Sequence, residues 1–436
     1  MKKRKLLALL LAGSMVLSLA ACGGTQGNSE SPSGGGETVS GGETEGNKTV
    51  KVGLICIGDE NDQGYTYNFI RGKEAVTEAL AEKGITVDWQ IKWNIGEDSS
   101  CEDANIELAE AGCDLIINNS YGFEPFMLKV APDYPEIEFI ACTNQASAVD
   151  DLPNTHNAFA NIYEGRYLAG VVAGMKLQEM IDNGDITADQ AVIGYVGAYS
   201  FAEVISGFTA YYLGAKSVCP SVTMKVQFVG SWSDATEEGN AAQALCDAGC
   251  VMISQHSDNT TPATAAQAAG VFHCGYNNDM TEVAPEASLI SCRIDWSPYF
   301  QYAIKAVANG ESFDQDWTAG YGEGSVALTT LNEAIAAPGT AEKLAEVEAA
   351  LADGSLHPFD GPWTGTGLAF GAEEPDTKTM AEGEYFAESD VAGGMTSAPS
   401  STGSSRASPR SKPHPKSAYR EEGLRLSSRS LRIERT

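Results

Sequence analysis

The chain has 436 residues, with 28 Lys and Arg against 59 Asp and Glu and a formal charge of −31. So acidic a body repels nucleic acid and anionic membrane surfaces, which excludes both as its partners. With the two unusual ends set aside, about 345 residues remain, enough for two domains with cores of their own.

The chain opens on Lys2-Lys3-Arg4-Lys5 and a short apolar run of small residues that reads as a signal peptide over 1–21, too short for a stable membrane span. Leu19-Ala20-Ala21-Cys22 resembles the lipobox of bacterial lipoproteins, in which the cysteine sulfur takes a diacylglycerol and becomes the new N-terminus. Residues 22–48 are Gly, Ser, Thr and Glu almost without apolar side chains, the composition of a flexible tether. A lipid anchor, a leash and a globular body place the protein on the outer face of the cytoplasmic membrane, touching the bilayer through Cys22 only.

From Val50 the pattern alternates strands and helices. The reading gives a strand at 51–57, a helix at 68–84 stopped by Gly84, a strand at 85–93 and a helix at 98–112 capped by Asp98 or Ser99. A buried strand at 113–119, a helix from Glu124 and a strand at 137–143 complete a first array. The theme restarts with a helix at 164–180, a strand at 191–198, a helix at 201–218, a strand at 223–231 and a helix at 234–250. A strand at 251–255, a short helix from Thr261, a strand at 271–277 and a strand-to-helix unit over 287–310 follow. Segments 325–331 and 341–354 supply late elements. Repeated βα units with short apolar strands imply parallel sheets covered by helices on both faces, here in two successive domains.

Residues 371–394 form an extension, and 395–436 turn abruptly into a basic Ser-, Pro- and Arg-rich tail that reads as disordered. A shifted reading frame produces the same switch of composition and charge. Deleting the tail is expected to leave ligand binding unchanged.

Ten cysteines occur without a CxxC pair, and lipidation of Cys22 leaves an odd number. Those in apolar strands (Cys56, Cys113, Cys142, Cys274, Cys292) read as buried free thiols, small hydrophobes and not a disulfide framework.

In open α/β sheets ligands bind beyond the carboxyl ends of the strands. The residues that follow the predicted strands are Asp62, Tyr65 and Tyr67, then Tyr121, Asn144, Glu203, Trp232, His256, Asp258, Asn277, Asp279 and Trp296. This lining is aromatic, amide and carboxylate, without the Lys and Arg that phosphates demand. Flat rings stack on flat partners, and Asn, Asp and Glu pair with amino groups, ring N–H and hydroxyls. The set suits a neutral, planar, polar small molecule, and either Tyr65 or Tyr67 is the stacking surface.

Catalysis is poorly supported. His156 and His357 lie in polar loops, His414 in the tail and His273 inside an apolar strand; only His256 stands at a strand end near carboxylates, with no serine elbow and no HExxH. Nothing asks for a metal or a cofactor. No GxxxxGK[ST] occurs, so any energy-coupling ATPase is a separate chain.

The stretches DQGYTYNFIRG, EGRYLAGVVAG, EVISGF, QHSDNTTPA, GYNNDM and DWSPYF resemble the basic membrane protein family, substrate-binding lipoproteins of ABC transporters that take purine nucleosides or related bases. The resemblance covers roughly residues 50–370. It implies a type I periplasmic-binding-protein clamshell, with two Rossmann-like lobes joined by three crossings, docking as a monomer on ABC permease and ATPase subunits. The first lobe is expected at 49–160 plus about 288–320, the second at 161–287 plus about 321–370. The family's stacking Phe falls on Tyr65. Thr66 stands where nucleoside-binding members carry Asn, Cys56 where they carry an acid that can hold ribose, and Cys292-Arg293 where a Lys-Arg pair is common. A free base thus stands beside a nucleoside as ligand, with a sugar as the alternative. A surface sensor using the same clamshell, and a nucleoside hydrolase, are the other functional readings.

Overall fold

A computed structural model describes residues 48–142, 152–199, 201–367, 376–385 and 433–434. Cys22, the tether up to residue 47 and Asn144 lie outside the described residues, as does the basic tail apart from Ile433 and Glu434; Lys48, counted with the tether, opens the first strand.

The first lobe is built on β1 (Lys48–Ile55), α1 (Tyr65–Ala81), β2 (Ile85–Lys92), α2 (Ser99–Glu110), β3 (Leu115–Asn118), α3 (Glu124–Val130), β4 (Glu138–Cys142) and β5 (Thr155–Ala160). The apolar runs of β1 and β3 become central strands because both of their faces are covered; Val52, Leu54, Leu115, Ile116 and Ile117 are fully buried. Asp98 caps α2 as expected, its carboxylate accepting from Ser100 N. Gly84 takes the left-handed conformation that ends the α1 segment (φ +76°).

The second lobe follows with α4 (Ile162–Asn183), β6 (Val192–Gly197), α5 (Ala202–Val218), β7 (Thr223–Phe228), α6 (Ala235–Asp247), β8 (Met252–His256), α7 (Thr261–Ala269), β9 (Phe272–Tyr276) and β10 (Ser288–Ile294). Helix α8 (Ser297–Asn309) returns to pack on α1, and β11 (Asp316–Ala319) pairs with β5. Strand β12 (Val326–Leu328) rejoins the second sheet, and α9 (Thr340–Ala352) packs against α4. Strand order is β11-β5-β4-β3-β1-β2 in one sheet and β12-β10-β9-β8-β6-β7 in the other, parallel throughout except for the β10–β12 pair. A third, small antiparallel sheet comprises β13 (Trp363–Gly367), β14 (Asp376–Met380) and β15 (Ile433–Glu434), with Trp363 buried in the core of the second lobe.

Helices α4 and α5 cross backbone to backbone. A Cβ on Gly170 would stand 2.1 Å from the Tyr211 carbonyl oxygen, and one on Gly174 2.5 Å from that of Ala215. Only glycine permits this approach, and it welds the two helices into one rigid layer.

Three chain crossings join the lobes: β5 to α4, β10 to α8 and β11 to β12. They bond to one another, Asn161 N to Ala319 O at 2.9 Å, Asp295 N to Ser325 O at 2.8 Å and Tyr321 N to Glu164 Oε2 at 2.6 Å. The strand at 288–294, expected to open the return to the first lobe, stays in the second sheet, so the second crossing falls after Ile294. An apolar run buried on both faces carries no mark of which sheet it joins. The nine described cysteines are all free thiols, every one buried except Cys246, which is half-buried.

Candidate ligand-binding site

The two sheets present their carboxyl ends to a cleft lined by Ile57, Tyr65, Ser120 and Tyr121 from the first lobe and Glu203, Trp232, His256, Asp258 and Tyr276 from the second. It encloses about 370 Å3 counting the mouth. Among the described residues, no Lys or Arg lines it.

The two neighbouring tyrosines part company. Tyr65 faces the cleft, propped edge-on against Phe69 (centroids 5.1 Å apart) with Trp296 behind it at 6.5 Å. Tyr67 points away and carries the Arg71 guanidinium on its ring at 4.3 Å. Residues two apart on a helix diverge by about 200°, so only one of the pair can face the ligand.

Asp62 is a structural cap and not a wall of the cleft. Its carboxylate accepts from Gly64 N (2.9 Å), Thr66 N (2.9 Å) and Tyr67 N (3.1 Å), holding the turn that opens α1. Asp279 does the same for the turn at Met280–Glu282, accepting from Thr281 N at 2.9 Å and Thr281 Oγ1 at 2.6 Å. Trp296 is fully buried in the first-lobe core, 4.6 Å from Phe69 and stacked on Phe300. Asn277 is buried behind the cleft, where Nδ2 donates to Asp258 Oδ1 at 3.1 Å and Oδ1 accepts from Asn68 Nδ2 at 2.7 Å. These four side chains, with Tyr67, are corrections to the sequence reading: being just past a strand end does not say whether a side chain turns into the cleft or back onto its own loop. Tyr65, Tyr121, Glu203, Trp232, His256 and Asp258 are brought together.

Several contacts span the lobes. The Tyr121 ring stacks on Phe201 at 4.7 Å and 17°, and Phe201 continues to Tyr199 and Trp232. Trp232 Nε1 donates to Glu97 Oε1 at 3.3 Å, and that oxygen also accepts from Ser120 Oγ (2.7 Å) and Gly122 N (2.9 Å). Arg71 reaches Asn278 Oδ1 at 3.2 Å, and Tyr65 N donates to Asp258 Oδ1 at 3.2 Å.

The floor is a polar cluster around Glu203. His256 and Glu203 meet at 3.0 Å, Nε2 to Oε1, and the Tyr276 hydroxyl donates to the same carboxylate. The fully buried Arg166 lies behind, its guanidinium 3.7 Å from the Tyr276 ring centroid and Nη1 donating to Gln255 O at 2.6 Å. Burial works to raise the Glu203 carboxyl, but the hydrogen bonds from His256 and the Tyr276 hydroxyl and the Arg166 charge oppose it and hold the group below its usual range. Burial, with Arg166, keeps His256 neutral against the pull of Glu203. Neutral His256 beside an ionised carboxylate must carry its proton on Nε2, which leaves Nδ1 facing Gly207.

Sequence reasoning passed over Glu97, Phe201 and Arg166. Glu97 and Phe201 lie in loops, and Arg166 sits in the polar start of a helix. Ser120 and Tyr276, which the same strand-end rule picks out, do line the cleft. His273 is a satisfied core imidazole, between Gln255 Oε1 and Ser288 Oγ. His156 is no loop residue: it is buried in β5, between Glu138 and the Asp314 carbonyl and stacked on Phe313.

Two lobes, three crossings and a polar aromatic cleft at the facing strand ends define a clamshell solute-binding protein. Residues 49–354 match the Bmp family, described as ABC transporter substrate-binding protein PnrA-like. The chain belongs to this family of ABC transporter substrate-binding proteins, which are not enzymes; they act outside the cytoplasm and deliver small molecules to permease and ATPase subunits. A purine-binding protein of Brucella abortus (strain 2308) is 33% identical over 323 residues, 74% of this chain and 86% of that one. A protein of Haloferax volcanii, provisionally named an ABC transporter glucose-binding protein, TsgA13, is 31% identical over 63% of this chain and 65% of that one. An ABC transporter solute-binding protein from Aeropyrum pernix K1 shares the fold with a TM-score of 0.58 and 16% identity, covering 72% of this chain and 94% of that chain. Among the described residues no helix is long and apolar enough to cross a membrane.

Proposed function

We propose that this protein captures an uncharged purine, as free base or nucleoside, for import, and that Cys22 anchors it by lipid to the outer face of the membrane as a monomer. The observation that carries the ligand class is the Tyr65 ring standing over a floor of Glu203, His256, Asp258 and Tyr276 with no cation in the lining. An aromatic face stacks on a heterocycle while acids and a phenol hold its edge, and the purine-binding relative supports the same class. Since the lobes touch across the cleft in this arrangement, at Tyr65 and Asp258 and at Tyr121 and Phe201, they would part about the three crossings to admit a ligand and close over it, shutting out water.

A hexose is the second reading, supported by the Haloferax relative's name and by the capacity of carboxylates to accept from paired hydroxyls. Mass spectrometry of what co-purifies, followed by calorimetry against adenine, guanine, adenosine, inosine and glucose, decides between the two. Binding of glucose with no heat from any purine would overturn the purine reading.

A further inference from the structure

The two carboxyl groups of the cleft keep opposite company. Glu203 is met by donors, the His256 Nε2–H at 3.0 Å and the Tyr276 hydroxyl, with the Arg166 guanidinium behind them. Asp258 is met by neutral amides, Tyr65 N at 3.2 Å and Asn277 Nδ2 at 3.1 Å, both on Oδ1. The charges that bear most on Asp258 are three more carboxylates: Asp62 from the turn before α1, Glu238 from α6 and Glu203 from α5. Of the other titratable groups around it, His256 on β8 is neutral, and Tyr65 on α1 and Tyr276 on β9 are phenols. Glu238 is itself fully buried, its Oε1 accepting from Asp234 N, and burial pushes it up to about 7.

Asp258 is shut off from water by the opposite lobe. Gly64 lies directly on it, so close that a Cβ there would stand 2.7 Å from its carbonyl oxygen. Parting the lobes therefore returns Asp258 to solvent, where an ordinary carboxylate is ionised at neutral pH. Bringing them together shuts out its water and adds Asp62 of the first lobe to Glu238 and Glu203 of its own, and burial with those carboxylates drives its carboxyl well above the usual range.

We propose that closing the cleft on its ligand draws one proton from solution onto Asp258, so that the ligand meets a charged acceptor at Glu203 and a neutral acid able to donate at Asp258. This deepens the purine reading and rests on it. The ligand edge that fits presents an N–H to Glu203 and a lone pair, from a ring nitrogen or a carbonyl, to Asp258; an anion fits neither. The proton comes from water or buffer and no covalent bond of the ligand changes. Because the closed form binds the proton more tightly than the open form, affinity falls as pH rises, by about tenfold per unit across the neutral range.

The test is calorimetry of the full chain with adenine, inosine and glucose at one pH in buffers of different ionisation enthalpy, repeated at several pH values. The expected result is uptake of about one proton per ligand bound, with the matching pH slope. Any residual binding by Asp258→Asn should show no uptake, whereas Glu238→Gln should keep it. Binding by the wild type without proton uptake, or uptake that vanishes in Glu238→Gln and survives in Asp258→Asn, overturns the proposal while leaving the purine reading intact. Absence of binding by all three probes overturns both.

Discussion

Gly64 of the first lobe and Asp258 of the second touch backbone to backbone: a Cβ on Gly64 would lie 2.7 Å from both Asp258 Cβ and its carbonyl oxygen. Neither atom can yield as the end of a long side chain would. Gly64→Ala is therefore expected to prop the lobes apart, cutting ligand affinity by about tenfold or more, the scale of a lost interlobe contact of ~1–2 kcal/mol. Calorimetry and small-angle scattering with saturating ligand would check it. A variant that binds and compacts like the wild type would show that the contact is dispensable.

Tyr65 and Tyr67 should separate cleanly. Tyr65→Ala is expected to weaken purine binding by about 1–3 kcal/mol, the cost of losing a base-stacking ring. Tyr67→Ala, which loses only the contact with Arg71, should bind within about twofold of wild type. Titrating both variants with the same purine settles the assignment, and equal losses would argue against it.

Trp232 ties the lobes through its indole N–H on Glu97. Replacing it with Phe keeps the aromatic chain through Phe201 but deletes the donor, so affinity should drop by about 0.5–1.5 kcal/mol. Glu97 retains its bonds from Ser120 and Gly122, so the first lobe itself should keep its melting temperature. A double cycle with Glu97→Gln measures the coupling.

Glu164 gives the hinge a pH signature. It accepts Tyr321 N at 2.6 Å, and burial, opposed by that bond and aided by Glu323, raises its carboxyl to about 7. The fold thus binds this proton more tightly than the unfolded chain does. The associated stability is complete below the ordinary carboxylate range and is lost as pH rises through about 7. Urea midpoints should fall from roughly pH 5 to pH 8, and fall less in Glu164→Gln. A wild-type midpoint insensitive to pH would rule this out.

Most of the architecture was legible because parallel α/β proteins advertise their strands as continuous apolar runs, and β1, β3 and β6 are such runs. Strands β5 and β11, THNAFA and DWTA, escaped: each is short and mixed in polarity, without the continuous apolar run of the central strands. The rule that ligands gather at strand ends found Tyr65, Glu203, His256 and Asp258. It could not separate them from Asp62 and Asp279, because whether a carboxylate faces the cleft or folds back onto neighbouring N–H groups is decided by loop dihedrals that leave no periodic trace. Arg166 was hidden for another reason: two residues from Glu164 it reads as part of a polar helix start, and its partners come through tertiary contacts only.

The free thiols have a consequence for how the protein reaches its working place. Once folded they are protected, since burial pushes Cys113 and Cys250 up to about 11 and Cys274 up to about 12, where little reactive thiolate exists. That shelter is a property of the finished fold. A chain emerging from the secretion channel displays every sulfur at once to any oxidant outside, so its biogenesis is a race in which sheet assembly must outrun wrong cross-linking.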